Sequence, residues 1–220
     1  GGFSGTANKN QVIISGGTIT GTVYGGFAIA NSGKANDNQV IISGGTIDGS
    51  VCGGLAITEA KDNRIVLLGN NANYIFTDTQ GTEHTLTSSG NIEITRAVAG
   101  GLAGGLAEGP HSGNEIHVYG SNTKVGNIGY FDRLCFFIDN TLTFGETMLT
   151  INGISDTGYA QMLDTGTNYT NVSIPNGKLA VKVTGKPQAS GDKNIIYLVH
   201  NNAGEITDFK NDGTPVPVEI

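Results

Sequence analysis

Four aspartates are the residues that could cleave a sugar chain: Asp37, Asp62, Asp132 and Asp139. Glycoside hydrolysis needs two carboxyl groups about 5–9.5 Å apart on one face, one acting as acid and the other as base or nucleophile. A lyase needs acidic residues holding Ca²⁺ beside a basic residue. Asp37 and Asp62 fall at equivalent places in neighbouring repeats, too close together for an inverting pair. Asp132 and Asp139 bracket Arg133, the better of the two groups. Both groups read as solvated turn and strand-edge residues, so the catalytic assignment is none.

The histidines are His84, His111, His117 and His200. No H-E-x-x-H stretch and no pair at ligand spacing occurs, so the metal assignment is also none. By alternation His117 is a surface strand residue. Cys52 and Cys135 both fall outward by alternation. They lie at least two repeats apart, roughly 10–15 Å, which is beyond a disulfide's reach. Two free thiols are expected. The glycine run Gly100–Gly105 lacks the spacing, the following helix and the lysine of a phosphate-binding loop, and no cofactor is expected. G-x-S-x-G, the nucleophile elbow of a serine hydrolase, is absent.

The elements that must position these residues are repeats. Asn10–Ile19 reads NQVIISGGTI, and Asn38–Ile47 is the same ten residues. The copy spans Ser4–Ile19 and Ser32–Ile47 with changes only at Thr6/Lys34 and Lys9/Asp37. Self-similarity at such a period marks a stacked-repeat architecture. Within NQVIIS, Val12 and Ile14 face one way and Gln11, Ile13 and Ser15 the other, the period of a strand. Gly16-Gly17, Gly21 and Gly25-Gly26 read as corners, where positive φ suits glycine. Weaker repeats keep the inward pairs as Ile65/Leu67 after Asn63 and Ile116/Val118 after Asn114. The GTVYGG element recurs as Arg96–Gly101 and loosely as Gly126–Gly129. No segment carries a 3.6-residue apolar period. Asn10, Asn38, Asn63 and Asn114 are expected to stack as an amide ladder.

The outward stripe Ile13, Ile41 and Val66 needs a cover, and the insertion Asn70–Gly90 is the candidate. Outward Thr18, Thr20 and Thr22 are followed one repeat on by Thr46, Asp48 and Ser50, which breaks any ice-binding array. Thr141–Ile151 and Val172–Ile174 read as further strands.

The totals exclude several classes. A net charge of -7 and a pI near 4.9, with no basic run, argue against nucleic acid. The longest uncharged apolar run, Ala97–Ala107, is far short of the ~20 residues that a spanning helix requires. Gly1-Gly2-Phe3 matches Gly25-Gly26-Phe27, so the sequence opens inside a repeat and reads as a piece of a longer chain.

These repeats resemble the passenger domains of bacterial autotransporters, the type V secreted proteins, and in particular the large adhesin-like ones. The segment Lys178–Phe209 is similar to the end of a passenger: a strand, a turn at Ser190–Lys193, a strand at Ile195–Val199 and the closing piece Gly204–Phe209. The resemblance implies an all-β chain, a right-handed single-stranded parallel β-helix (β-solenoid) with a less regular C-terminal capping segment. It implies coils over 1–175 with the insertion near 70–90, and a strand-rich cap over 176–220 in which Pro215 and Pro217 discourage edge pairing. It further implies export by a Gram-negative-type bacterium to the cell surface or medium. Attachment to the outer membrane would come only through a C-terminal β-barrel that this sequence lacks. In that setting the N-glycosylation patterns at Asn168 and Asn171 are chance matches.

The expected function is adhesive, with loops presented to a host or bacterial cell-surface protein or glycan, weak self-association, and no catalysis. The alternatives are a carbohydrate-active β-helix enzyme and an inert spacer.

Overall fold

The computed structural model describes residues 5–30, 32–103, 112–153, 178–191, 194–202 and 218–219. The expected strand Val172–Ile174, the closing piece Gly204–Phe209, both prolines of the proposed cap, His111, Asn168 and Asn171 lie outside them. Among the described residues the chain is all-β, without a helix.

Each repeat gives one strand to a six-stranded parallel sheet and another to a nine-stranded sheet. The six-stranded sheet is built of β1 (Gln11–Ile14), β4 (Gln39–Ile42), β7 (Arg64–Leu68), β11 (Glu115–Tyr119), β13 (Arg133–Ile138) and β15 (Lys178–Val183). Its register is the one the repeat alignment requires. Val12 lies beside Val40, Val40 beside Ile65, Ile65 beside Ile116 and Ile116 beside Leu134.

The spine of the second sheet is β2 (Thr18–Thr20), β5 (Gly45–Asp48), β10 (Ile92–Leu102), β12 (Thr123–Gly129), β14 (Thr147–Ile151) and β16 (Ile195–Asn201). Strand β17 (Val218–Glu219) adds antiparallel to β16. The GTVYGG element forms β3 (Val23–Ala28) and β6 (Val51–Ala56), and β6 then pairs with the second half of β10. Val51 meets Val98, and Val98 meets Ile128, so the degenerate copies at Arg96 and Gly126 were aligned correctly.

The inward residues of the two sheets meet in one apolar core. Val40, Ile42, Ile65, Leu67, Ile116, Val118, Leu134 and Phe136 pack with Ile47, Ile92, Ile94, Val98, Val125, Leu149 and Ile196. Each such side chain contributes roughly 1.5–3 kcal/mol by leaving water. A single repeat has no second layer, so it gains this only by stacking.

The corner is held by the asparagine ladder. Asn10 Nδ2 donates to Asn38 Oδ1 at 2.8 Å, Asn38 Nδ2 to Asn63 Oδ1 at 2.9 Å and Asn63 Nδ2 to Asn114 Oδ1 at 3.0 Å. The same oxygens accept the backbone N–H of the preceding asparagine. Asn38, Asn63 and Asn114 are buried. At the next step an aspartate replaces the amide, and Asp132 Oδ2 accepts from Asn114 N at 3.1 Å.

Of the expected glycine corners, Gly16-Gly17 and Gly21 have positive φ, whereas Gly25-Gly26 is glycine for a different reason. Gly17 and Gly45 have φ of 84° and 100° and are true corners. Gly25-Gly26, Gly53-Gly54 and Gly100-Gly101 lie inside strands, outside the positive-φ set. What they lack is room. A Cβ on Gly54 would sit 2.5 Å from Ala35 O and 2.8 Å from Asn63 Nδ2, and one on Gly101 would meet Ala60 O and Asn114 Nδ2 at 2.5 and 2.9 Å. The glycine pair and the asparagine column are one device, since the ladder fits only where the facing strand has no side chain.

The stretch expected as one strand over Thr141–Ile151 becomes strand only from Thr147. Asp139 Oδ1 accepts from both the N–H and the hydroxyl of Thr141, and Glu146 Oε2 accepts from Thr143 N. These local side-chain bonds take backbone donors that a ladder would need.

Candidate functional site

The outer face of the six-stranded sheet carries the chemistry, and stacking in register sorts its side chains into columns. One column reads Gln11, Gln39, Arg64, Glu115, Arg133, and the next reads Ile13, Ile41, Val66, His117, Cys135, Ala180. A third holds Leu68, Tyr119, Phe137 and Lys182.

The insertion covers the aliphatic half. Strands β8 (Asn73–Thr77) and β9 (Glu83–Thr87) form an antiparallel hairpin whose Tyr74, Phe76 and Leu86 pack on Ile41, Val66 and Leu68. Gln39 Nε2 donates to the Tyr74 hydroxyl at 3.2 Å, tying the hairpin to the sheet. The Asp78 carboxylate closes the hairpin turn by accepting from Gln80 N, Thr82 N and His84 Nε2. The His84 hydrogen bond is the main reason the Asp78 carboxyl is held below its ordinary range. The cover is partial, for Ile13 stays 44% exposed.

Beyond the hairpin the face is aromatic and charged. Tyr74 and Tyr119 have ring centroids 5.3 Å apart, Tyr119 stacks on Phe137 at 4.1 Å with planes 9° apart, and His117 lies 5.2 Å from Phe137. Beside this row Glu115 is gripped from three sides. Arg133 Nη1 reaches Oε1 at 2.9 Å, Arg64 Nη2 reaches Oε2 at 3.4 Å, and His117 Nε2 lies 2.8 Å from Oε2.

Burial opposes the Glu115 charge, yet the His117 hydrogen bond and the neighbouring cations outweigh it and hold the carboxyl below its usual value. Burial pushes the His117 imidazole down, with Glu115 pulling the other way. The carboxylate thus sits between two arginines and an imidazole whose charge burial opposes. Burial, followed by the Glu115 charge, pushes the Cys135 thiol up to about 11. That is the reverse of the shift an attacking cysteine needs. Burial likewise raises the Tyr119 hydroxyl.

The expected surface positions of the two cysteines need correction. Both are free and buried. Cys135 is the lateral neighbour of His117 on the outer face of β13. Cys52 lies beneath a satellite cluster of Tyr24, Leu55, Ala99, Leu102 and Tyr130, and its thiol is pushed up to about 12 by burial. Alternation correctly places both side chains away from the main core, but a second apolar layer covers that face. His117 shares this layer, with 13% of its side chain exposed.

The four aspartates take turn and ladder positions. Asp37 and Asp62 are left-handed turn residues with φ of 57° and 55°, following Lys9 at 57° in the first repeat. Asp132 ends the asparagine ladder and Asp139 folds the Thr141 turn. Thr18 pairs with Thr46 and Thr20 with Asp48, which breaks the threonine array as anticipated. His200 pairs with Thr150 in the other sheet.

The grouping that the sequence reading missed is Glu115, His117 and Cys135. One donor atom from each lies within 4.8 Å of the others. Aligning Arg133–Phe137 on Glu115–Tyr119 would have found it, because that register puts Cys135 directly beside His117.

No family model matches this chain, and no curated protein or solved structure matches it.

Proposed function

We propose that this chain is a right-handed, single-stranded parallel β-helix of the autotransporter-passenger kind, exported to a bacterial cell surface. In this reading it binds a cell-surface glycan or protein and performs no catalysis. The supporting observation is the outer face of the six-stranded sheet. There the row Tyr74–Tyr119–Phe137 is separated from the polar column Gln39–Arg64–Glu115–Arg133 by the single column of Val66, His117 and Cys135, which places ring edges, amides and guanidinium groups on one rigid surface. Amphipathic aromatics and arginine are the groups that dominate binding surfaces.

Right-handed winding follows from the general rule for parallel strand crossovers. A non-catalytic role is supported by the structural duties of Asp132 in the ladder and Asp139 in the Thr141 turn, and by the raised Cys135 thiol.

The test compares binding of the chain and of its Phe137→Ser and Arg64→Ala variants to immobilised cell-surface glycans and matrix proteins. The expected result is at least a tenfold loss in each variant, with Lys124→Ala on the other sheet unchanged. Equal binding by all four proteins rejects this face as the site.

A further inference from the structure

We propose that Glu115, His117 and Cys135 form a binding site for a borderline divalent metal ion of the Zn²⁺ class. The three residues come from adjacent strands and alternate correctly. Glu115 and His117 are two apart on β11 and so share its outer face, while Cys135 is the lateral neighbour of His117 on β13. Their donor atoms lie within 4.8 Å of one another. Donors on one tetrahedral ion with ~2.0–2.3 Å bonds are separated by roughly 3.3–3.8 Å, so side-chain shifts of about 1 Å close the site. Oxygen, nitrogen and sulfur together suit Zn²⁺ rather than Ca²⁺ or Mg²⁺, which take oxygen ligands.

A fixed backbone supplies the preorganisation, because both strands lie inside a sheet with neighbours on each side. The Phe137 ring shields the imidazole. The partly exposed His117 and Glu115 side chains leave a path for the ion and for a water as fourth ligand. Binding forms one sulfur–metal bond, and the Cys135 thiol proton leaves to solvent.

Arg64 and Arg133 oppose the ion, since both pair with the carboxylate it would take. They set the affinity by electrostatic competition, and this yields a result that a chance cluster would not give. Removing an arginine tightens binding instead of disturbing it.

The experiment titrates the whole chain with Co²⁺ and with Zn²⁺. Co²⁺ is followed by thiolate-to-cobalt charge-transfer absorption, and Zn²⁺ by competition against the bound cobalt. One ion per chain is expected, with the absorption kept in Cys52→Ser and abolished in Cys135→Ser. His117→Gln should weaken binding at least tenfold, the scale on which losing even an outer-shell partner acts. Arg64→Gln should tighten it several-fold. Circular dichroism shows that each variant keeps its strands, and the arginine variant retains all three ligands whatever happens to the others. Absence of the absorption in the unmutated chain, its survival in Cys135→Ser, or weaker binding by Arg64→Gln overturns the site.

Discussion

Substituting Asn63 by alanine separates a working ladder from a row of residues that merely tolerate a turn. Asn63 Oδ1 accepts two bonds, from the backbone N–H and the Nδ2 of Asn38, and its own Nδ2 donates to Asn114 Oδ1. Alanine leaves both Asn38 donors without their acceptor at a fully buried position, while Asn114 Oδ1 keeps the Asn63 backbone N–H. Each orphaned buried group costs about 1–3 kcal/mol, so the pair costs about 4 kcal/mol. Asn10→Ala removes only one donated side-chain bond at an exposed end, and Asn38 Oδ1 keeps the Asn10 backbone N–H, so about 1 kcal/mol is lost. With a urea slope of about 2 kcal/mol/M, the unfolding midpoints should fall by about 2 M and about 0.5 M respectively. Equal shifts in the two variants would refute the ladder as a source of stability.

The glycine pairs give a matched test. Gly54→Ala should destabilise by more than about 2 kcal/mol because backbone and Asn63 crowd its Cβ, whereas Gly129→Ala, with open space, should stay within ~0.5 kcal/mol on the same urea curves. Both cysteines should resist a thiol reagent in the folded chain and react together once it is unfolded; fast reaction of Cys135 in the native chain would contradict its burial. Glu59 is held down to about 2, first by its hydrogen bond from Lys61 and then by that from Asn36. Its folded value lies below the ordinary 4.5, so its contribution is present above that pH and is lost as pH falls from 4.5 through 2. An NMR titration of its carboxyl carbon checks this, and a midpoint near 4.5 rejects it. Replacing the hairpin residues 73–87 by a short Gly-Ser link should bare Ile41, Val66 and Leu68 and raise binding of a hydrophobic dye; no rise would mean that the hairpin does not cover them.

The repeats were legible because a parallel stack makes each position answer to the same position one copy away. Val12, Val40, Ile65 and Ile116 had to be apolar for a shared reason, and Asn10, Asn38, Asn63 and Asn114 had to be amides for another. Gly16-Gly17 was read correctly as a corner, but Gly25-Gly26 was misread, since a sequence shows that a side chain is missing and not whether torsion or crowding forbids it. The cysteines were misplaced because alternation describes one layer. Tyr24, Leu55 and Tyr130 add a second layer over Cys52, and Tyr74, Phe76 and Leu86 of the insertion add another over Ile41, Val66 and Leu68, neither of which the period can announce. The cluster of Glu115, His117 and Cys135 escaped notice because β13 keeps the register while keeping few letters of the repeat. Turns built by Asp139 and Glu146 likewise replaced a strand that composition alone favoured.

The central claim, that stacked repeats here present a binding surface and not a catalytic cleft, is met most directly by one paired assay. The chain is titrated against cell-surface polysaccharides and matrix proteins while the same samples are analysed for newly released reducing sugar. Saturable binding with no sugar released is the predicted result. Release of sugar that stops on replacing Asp132 or Asp139 by asparagine would contradict the account and return the chemistry to the carboxylates.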